Sequence, residues 1–354
     1  MPDASLLFAA ALLPAALLLD RACGEPPARL HPVCGMGRLA DWSERLCREA
    51  SGLPDGARGQ LFWGGLAAVL VILPWVVIAA LLVNGGRELL GNFGAFVCAA
   101  VCIWCCLAPR CLARHALEVA APLAEGRLDA ARQAVSRMVG RDPRRLDAAG
   151  VARACVESVA ENLTDGVLAT LFWAAVGLYW AGLPAAAALA VLHRCANVLD
   201  AMWGHRDARY ARFGTVAARL DDALNFLPAR LALPAIALAA HLLCRLRGLP
   251  RLARLLPAVP PDVRFDTRAA LRVGWRFRKA HESPNSAWSE APFAGALGLQ
   301  LGGPAFYGER LVAHPLVGCG TPEAHAGHIR AAVALMWLSV LVWTLPLALL
   351  APCF

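Results

Sequence analysis

The sequence predicts an all-α, polytopic integral membrane protein with about five hydrophobic helices and cytoplasmic helical and loop regions. Three observations support this fold class. Hydrophobic residues make up 58% of the 354-residue chain and charged residues 17%, whereas about 25% of a typical soluble domain is charged. The mean hydropathy is +0.53. Several apolar runs approach or exceed the roughly 20 residues that a helix needs to cross a bilayer.

Charge and cysteine content narrow the class of protein further. The net charge of +8 comes almost wholly from arginine, since Lys279 is the one lysine. Basic loops orient membrane proteins, and no basic patch is interleaved with aromatic residues, so we expect no nucleic-acid partner. The 13 cysteines show no paired framework, and Cys98, Cys102, Cys105 and Cys106 lie inside an apolar run. We interpret them as small, membrane-buried hydrophobic residues.

The N-terminal part contains one apolar run and one amphipathic segment. Residues 6–19 are apolar but short for a full span, carry Pro14, and are not preceded by the basic residues of a signal peptide. We expect a retained membrane-inserted or interfacial helix, which ends at the Pro- and Gly-rich stretch that follows. Residues 38–58 predict an amphipathic, cytoplasmic segment.

A helical hairpin is predicted next. Residues 61–83 and 89–108 are apolar over about the length of a span, and the turn NGGRE lies between them at 84–88. The turn carries one arginine, whereas the flanking segments 20–60 and 109–160 carry six and nine. By the positive-inside rule both flanks are cytoplasmic.

Soluble and apolar segments alternate after the hairpin. Residues 110–152 predict short soluble helices, broken at Gly126 and Asp142. Residues 166–192 are apolar but are interrupted by Gly-Leu-Pro at 182–184. This interruption predicts a bent pair of short helices that enter the membrane and return, so that both polar ends stay on one side.

The C-terminal part is mostly polar. Residues 231–244 form an apolar run too short to span, which we expect to be re-entrant or interfacial. Residues 245–279 are strongly basic, residues 281–309 are rich in Gly, Pro and Ser and predict loops, and residues 331–350 predict a final span. Five regions are therefore predicted: N-terminal membrane helices (1–110), a cytoplasmic helical segment (111–160), a membrane-associated catalytic core (161–244), a basic and Gly/Pro-rich cytoplasmic loop region (245–330) and a C-terminal membrane helix (331–354).

Polar groups recur at helical spacing between residues 153 and 226, within an otherwise apolar sequence. Glu157, Glu161 and Asp165 follow at i, i+4 and i+8 and share one helical face. Two further groups follow: Arg194, Asn197 and Asp200, then Arg219, Asp221, Asp222 and Asn225. Like charges at this density repel one another unless a cation or a substrate lies between them, which favours a functional site. The alternative is a set of solvated helix faces between membrane segments.

Known nucleotide-binding motifs are missing from the sequence. It contains no GxxxxGK[ST] loop, no GxGxxG after a strand and no nucleophile elbow. Carboxylates and amides at helical spacing suit Mg²⁺, which binds one or two carboxylates together with substrate phosphates. Arginines such as Arg194, Arg206 and Arg219 suit the phosphates themselves. The combination is typical of phosphoryl transfer, although a buried salt-bridge network would contain the same residue types.

Four longer motifs resemble one known family. They are ESVAENLTDGVLA (157–169), NVLDAMWGHRDARYARFG (197–214), ARLDDALNFLPARL (218–231) and SPNSAW with FAGALGLQLGGPAFYG (283–308). In this order, and over nearly the whole chain, they are similar to the CbiB/CobD cobalamin biosynthesis proteins, the adenosylcobinamide-phosphate synthases. The chain departs from the family pattern at Arg194, where a lysine is usual, and in SPNSAWS and NVLDAM. An arginine there preserves phosphate binding but not a role that needs a neutral amine.

The resemblance implies ATP-dependent amide formation on a corrinoid. Aminopropanol or aminopropanol phosphate would be joined to the free propionate of adenosylcobyric acid, and whether the amine arrives phosphorylated stays open. ATP is then a co-substrate and Mg²⁺ the accompanying metal. The implied partners are the corrinoid, the amine, membrane lipid and other cobalamin-assembly membrane enzymes. The implied location is the cell (inner) membrane, crossed several times.

The polar residues divide into three predicted roles. The predicted catalytic residues are Glu157, Glu161, Asn162, Asp165, Asn197 and Asp200. The predicted substrate-binding residues are Arg194, Arg206, Arg219, Asn225, Ser283 and Asn285. The predicted Mg²⁺ ligands are Asp165, Asp200, Asp221 and Asp222. Glu157 or Glu161 would take the proton from the incoming ammonium, and residues 283–288 and 295–303 would form a substrate-facing loop.

Two other function classes fit part of the sequence. A membrane transporter also has broken helices and intramembrane charges. A regulatory membrane protein similar to the AmpE group would not need the carboxylates. The polar motifs lie mostly at the ends of spans, in segments large enough to form a catalytic face, which favours the enzyme.

Overall fold

The computed structural model describes residues 4–51, 57–205, 207–247 and 259–350. Helices dominate this part of the chain: α1 Ala4–Cys23, α2 Pro32–Ser51, α3 Ala57–Trp104, α4 Pro109–Ala124, α5 Leu128–Val135, α6 Ala148–Leu163, α7 Ala169–Ala181, α8 Leu183–Trp203, α9 Thr215–Arg247, α10 Thr267–Phe277, α11 Ala287–Leu297 and α12 Ala326–Leu350. A π-helical turn, Thr164–Leu168, joins α6 to α7. Strands β1 Leu301–Tyr307 and β2 Arg310–Val317 form an antiparallel hairpin.

The predicted class, an all-α polytopic membrane protein, is confirmed. Six helical segments of the described chain are long and apolar enough to cross a membrane: Leu6–Cys23, Gly59–Ala124, Ala148–Ala181, Leu183–Trp203, Thr215–Arg247 and Ala326–Leu350. The five-region division and the sidedness of the loops stay predictions.

The predicted hairpin of residues 61–108 forms, but the chain reverses later than expected. Residues 84–88 are helical, and the break in α3 lies at Leu90 and Gly91, where Gly91 has φ 63°. After the reversal Gly94 packs on Gly86 so closely that a Cβ on Gly94 would lie 2.1 Å from the Gly86 carbonyl oxygen. The glycines of NGGRE therefore serve close helix packing, and Gly91 supplies the turn because its φ disfavours other residues.

The predicted break at 182–184 is present at Gly182, between α7 and α8. Gly182 has φ 76° and ψ −160°, a conformation that is essentially restricted to glycine. The two helices then pack against each other, and a Cβ on Gly177 would lie 2.3 Å from the Ala185 carbonyl oxygen. The break and the close packing form the predicted bent pair, but its helices are not short, because Ala148–Ala181 and Leu183–Trp203 are each long and apolar enough to cross a membrane.

Two predictions about the C-terminal part are wrong. Residues 231–244 are not a separate short segment, because they continue α9, a helix of 33 residues that contains Pro228 and Pro234. Prolines are tolerated in such helices where neighbouring groups satisfy the freed carbonyls. Residues 281–309 are not mainly loops, since they contain the almost fully buried α11 and β1. Small residues there allow tight packing, and a Cβ on Gly295 would lie 2.4 Å from the Ala269 carbonyl oxygen.

The helices belong to two structural units. The first unit comprises Met1–Ala108, Asp165–Asn225 and Thr344–Phe354. Within it α3 packs on α8, α7 packs on α8, and α2 contacts α3 and α8. Buried aromatic and aliphatic side chains form a core there that includes Val71, Leu199, Trp203 and Phe213. This core fixes α8 and thereby the polar side chains near its C-terminal end.

The second unit comprises Pro109–Thr164 and Phe226–Trp343. Here α6 packs against α4, α5, α11 and β1, and α10 packs on α11. Asp147 caps α6, its side chain accepting the Gly150 N–H at 2.7 Å, and Asp266 caps α10 in the same way through Ala269. The unit thus surrounds the polar face of α6 with a helix and a β-hairpin.

Candidate functional site

The first polar group, which we call the acidic cluster, lies in the first unit on α8 and the first turns of α9. Its members are Arg194, Asn197, Asp200, Asp221, Asp222 and Asn225. Asn225 Nδ2 donates to Asp221 Oδ2 at 2.9 Å, and Arg194 Nη1 donates to Asn197 Oδ1 at 3.2 Å. Asn197, Asp200 and Asp222 also act electrostatically on Asp221. The structure therefore brings these predicted residues together.

A buried relay supports the cluster from behind. The Thr170 hydroxyl lies 3.0 Å from His193 Nδ1, and His193 Nε2 lies 3.1 Å from Asn225 Oδ1. Because Asn225 Oδ1 can only accept, His193 carries its proton on Nε2 and accepts from Thr170 at Nδ1. The relay fixes the Asn225 amide with its NH₂ group directed at Asp221. Sequence reasoning missed Thr170 and His193 because both lie in apolar runs.

One carboxylate oxygen of the cluster is buried without compensation. Asp221 is 7% exposed, and its Oδ1 has no hydrogen-bond partner among the described residues; the same holds for Arg194 Nε. A buried charge without partners is costly, and Asp200 and Asp222 add like charges beside it. The cluster therefore has the chemistry of a site that receives a cation or a phosphate group.

The predicted Mg²⁺ site of Asp165, Asp200, Asp221 and Asp222 stays a prediction. Among the described residues, no three or more His, Cys, Asp or Glu side chains are placed to hold a metal ion. The free oxygen of Asp221 beside Asp200 and Asp222 does fit Mg²⁺ held by one or two carboxylates and completed by substrate phosphates. Asp165 lies in the π-helical turn next to Gly166, where a Cβ would lie 3.7 Å from Arg194 Nη1.

Two further arginines were predicted to bind substrate. Arg219 is exposed on α9, and Arg206 lies outside the described residues. The segment that follows Arg206 is held by Glu44 of α2, which is 3% exposed and accepts Arg209 Nε at 2.9 Å and the Tyr210 hydroxyl at 3.2 Å. Burial raises the pKa of Glu44, but hydrogen bonds from Arg48 and Arg209 outweigh this and hold its pKa below the usual value. Glu44 therefore anchors the 207–214 segment to α2.

The second polar group lines a cavity of ≈ 450 Å³ in the second unit, which we call the polar cavity. Its walls come from α6, the loop before Asp142, residues 281–290 and the β-hairpin. The charged and polar side chains that line it include Arg141, Glu157, Glu161, His281, Glu282, Ser283, Ser286, Glu290, Tyr307 and His314. Of the predicted site residues it contains Glu157, Glu161 and Ser283.

Glu157 is a fully engaged carboxylate at the base of this cavity. Its Oε2 forms an ion pair with Arg141, and its Oε1 accepts the Gly302 N–H at 2.6 Å. Burial lowers the pKa of Arg141, but the charge of Glu157 outweighs it and raises that pKa. Glu157 therefore joins α6 to the preceding loop and to β1.

Glu161, one turn further along α6, is exposed, and its Oε1 accepts the Ser286 hydroxyl at 3.2 Å. Asn162 is also exposed, but its Nδ2 donates back to the Ser158 carbonyl at 2.9 Å and it does not line the cavity. Asn285 is buried and does not line the cavity either, because its Oδ1 accepts Arg230 Nη1 at 3.1 Å. Of the predicted 283–288 loop, the two serines face the cavity.

A histidine–glutamate pair on the cavity wall was not predicted from the sequence. His281 Nε2 lies 2.9 Å from Glu290 Oε2, with side-chain exposures of 16% and 7%. Burial raises the pKa of Glu290 to about 7. The charge of Glu161 also raises this pKa, whereas the hydrogen bond from His281 lowers it. Burial lowers the pKa of His281, but the hydrogen bond and charge of Glu290 outweigh it and raise that pKa. The pair therefore places an imidazole and a buried carboxyl in direct contact on the cavity wall.

The predicted site residues that the structure brings together therefore lie in two places, one within each unit. The acidic cluster offers carboxylates, amides and one arginine. The polar cavity offers carboxylates, hydroxyls and imidazoles around a space for a small ligand.

Several known proteins similar to this chain carry related descriptions. A family model described as CobD/Cbib protein matches residues 13–336. The cobalamin biosynthesis protein CobD of Stutzerimonas stutzeri is 42% identical over 94% of both chains. CobD of Klebsiella pneumoniae subsp. pneumoniae is 39% identical over 92% of both chains, and the cobalamin biosynthesis protein CbiB of Salmonella choleraesuis is 38% identical over 94% of both. No solved structure matches the chain.

Proposed function

This chain belongs to the CobD/CbiB family of cobalamin biosynthesis proteins, and on that premise we propose that it is an ATP-dependent acid–amine ligase. The proposed substrates are adenosylcobyric acid, through its free propionate, and aminopropanol or aminopropanol phosphate. The product is adenosylcobinamide or its phosphate. The proposal agrees with the family's role in cobalamin biosynthesis. It also agrees with the six helical segments that are long and apolar enough to cross a membrane.

The chemistry requires that the propionate be activated, because a carboxylate is a poor acylating agent. In the proposed reaction a propionate oxygen attacks the γ-phosphorus of ATP, which releases ADP and leaves an acyl phosphate. The amine nitrogen then adds to the acyl carbon, and the carbon–oxygen bond to phosphate breaks with its electron pair on the phosphate. The nitrogen loses two protons in all, one before the attack and one to the departing phosphate.

The residues of the acidic cluster suit the activation step. Asp221, with Asp200 and Asp222 beside it, would hold Mg²⁺, and the predicted ligand Asp165 follows α6. When bound, Mg²⁺ neutralises phosphate charge during phosphoryl transfer. Arg194 has a free Nε for a phosphate oxygen, while its Nη1 is oriented by Asn197. His193 and Asn225 hold the Asp221 carboxylate in position.

One observation carries the proposal: Asp221 Oδ1 is buried and unpaired within the described chain. In a purely structural network such an oxygen is usually paired, since burying an unsatisfied carboxylate oxygen costs free energy. A site for Mg·ATP would leave it free until the ligand binds. Because ATP is supplied from the cytoplasm, we further propose that the cluster faces the cytoplasm and that the protein resides in the inner membrane.

The test is product formation by purified protein in detergent. ATP, Mg²⁺, adenosylcobyric acid and either aminopropanol or its phosphate are incubated, and the corrinoids are analysed by mass spectrometry. We expect the mass of the amide with one of the two amines, dependent on ATP and Mg²⁺, and none from Asp200→Asn protein. Asp129→Asn, which changes an exposed carboxylate on α5, is the matched control and should retain turnover.

A transporter would give a different result. Wild-type protein in vesicles would then accumulate corrinoid or amine without forming an amide, and the ligase proposal would be wrong.

A further inference from the structure

We propose that the polar cavity binds the primary ammonium group of the amine substrate, that Glu161 holds this group, and that His281 accepts its proton. Glu290 is then the positioning residue for His281. The inference rests on the proposed ligase function, and it assigns a ligand class and residue roles to a second site.

Glu157 is unsuited to accept the proton. Both of its oxygens are engaged, one with Arg141 and the other with the Gly302 N–H. Protonating it would break an ion pair with an arginine that is itself largely buried, at 18% side-chain exposure. Stranding one partner of a buried pair is strongly destabilising. Glu157 therefore shapes the cavity instead of taking part in proton transfer.

Glu161 is suited to bind the ammonium. It lies in the cavity wall, and among the described residues only the neutral Ser286 hydroxyl donates to its Oε1. A carboxylate attracts a primary ammonium strongly, but it is a poor base for one, because ordinary carboxyl and amine pKa values lie about 6 units apart. An imidazole comes much closer to the amine in basicity and is the better proton acceptor.

His281 has the geometry of such an acceptor. Its Nε2 pairs with Glu290, and its Nδ1 has no hydrogen-bond partner among the described residues. With Nε2–H donating to the Glu290 carboxylate, the Nδ1 lone pair is free for the ammonium proton. The resulting imidazolium is stabilised by Glu290, as an imidazole paired with a carboxylate is in other proton-transfer sites.

The charged and titratable groups around His281 come from every wall of the cavity. Glu157 and Glu161 face it from α6 and act on it electrostatically, as does Glu290 from α11. Arg141, Tyr307, His314 and the adjacent Glu282 line the same cavity. Burial lowers the pKa of His314, and the charges of Arg141 and His281 lower it further.

The proton balance is complete with these groups. The substrate ammonium gives one proton to His281 Nδ1 and becomes a neutral amine. The amine forms the carbon–nitrogen bond as the acyl phosphate breaks, and its second proton leaves with the phosphate. His281 then returns its proton to water in the cavity.

The experiment compares two nucleophiles, because hydroxylamine is already neutral at neutral pH and needs no base. Wild-type protein should form the amide with the amino alcohol or its phosphate, and a hydroxamate with hydroxylamine. His281→Gln should lose amide formation by about 100-fold or more and keep hydroxamate formation. His241→Gln, the same change at an exposed position of α9, should leave both reactions unchanged.

Two further variants separate a base from a structural role. Glu161→Gln should raise KM for the amine without changing KM for ATP. Glu290→Gln should shift the rising limb of the pH–rate profile to lower pH, because removing the carboxylate lowers the pKa of His281.

Each contrary result has a distinct meaning. Equal loss of both products in His281→Gln protein would show a structural role, and unchanged amide formation would show no role, so either overturns the inference alone. Failure of the wild-type protein to form either product would overturn the ligase proposal as well.

Discussion

Asp221 and Asn225 lie one turn apart on α9, and the amide of Asn225 donates to only one of the two carboxylate oxygens of Asp221. The other oxygen is left buried and free within the described chain. Because Asn225 is in turn fixed by His193, the free oxygen has a defined direction. A buried carboxylate with one paired and one unpaired oxygen leads to specific predictions about stability and ligand binding.

Asp221→Asn should leave the protein folded, with a melting temperature equal to or above that of the wild type. The substitution keeps an oxygen for Asn225 and removes one of three like charges. Wild-type protein should gain about 2.7 kcal/mol of stability at Mg·ATP concentrations 100-fold above Kd, and the variant should gain none. Thermal melts in detergent with and without Mg·ATP measure this. A variant that melts far below wild type would mean that Asp221 belongs to a structural network.

His193→Leu should destabilise the first unit. The leucine is of similar size, but it leaves the Thr170 hydroxyl and the Asn225 carbonyl buried without partners. Each lost partner costs about 1 to 3 kcal/mol. The melting temperature should fall, and turnover should fall with it because Asn225 is no longer fixed. His115→Leu on α4 provides the comparison, since His115 is only partly buried, and it should have a much smaller effect.

Glu44→Gln should lower the melting temperature at neutral pH by releasing Arg209 and Tyr210. The folded pKa of Glu44 is held below its ordinary value, so its stabilisation is present above that ordinary value of about 4.3 and is lost as pH falls through the folded pKa. The difference between wild type and variant should therefore shrink in acid. Glu49→Gln on the exposed side of α2 should show no such difference at any pH. A pH-independent difference would contradict the assignment.

Gly182→Ala and Gly177→Ala should both destabilise the α7–α8 pair, for different reasons. At Gly182 a Cβ meets nothing within 4 Å, so the cost is the backbone strain of about 1 to 3 kcal/mol. At Gly177 the Cβ would lie 2.3 Å from a carbonyl oxygen, so the helices must move apart. Gly85→Ala is the control, because its Cβ meets nothing and its φ is not positive, and it should be neutral or stabilising. Thermal melts of the three variants rank these costs.

Local patterns predicted the parts of the structure that depend on local physics. The spacing of Asn197 and Asp200, and of Asp221 and Asn225, places each pair on one helical face, and the structure brings both faces together. Gly182 interrupts the apolar run because its conformation excludes other residues. The reversal at Gly91 was misplaced because glycine in NGGRE can serve either a turn or close helix packing.

The polar cavity could be predicted only in part, because its key contacts join distant segments. Arg141 precedes Glu157 in the sequence and Gly302 follows it, yet both contact its carboxylate. Periodicity carries no information about such pairs. His281 and Glu290 were overlooked since they lie in a segment whose Gly, Pro and Ser content is typical of loops. In the fold that content instead allows α11 to pack tightly.

The length of α9 determines how the acidic cluster can be reached. At 1.5 Å per residue this helix of 33 residues measures about 50 Å, whereas the hydrocarbon layer of a bilayer is about 30 Å thick. The portion after Asn225 alone measures about 33 Å, enough to cross that layer. The first turns, with Asp221, Asp222 and Asn225, can therefore extend into the headgroup region and the water beyond it. A water-soluble nucleotide can then meet these carboxylates without entering lipid, although the same helix is long and apolar enough to cross the membrane.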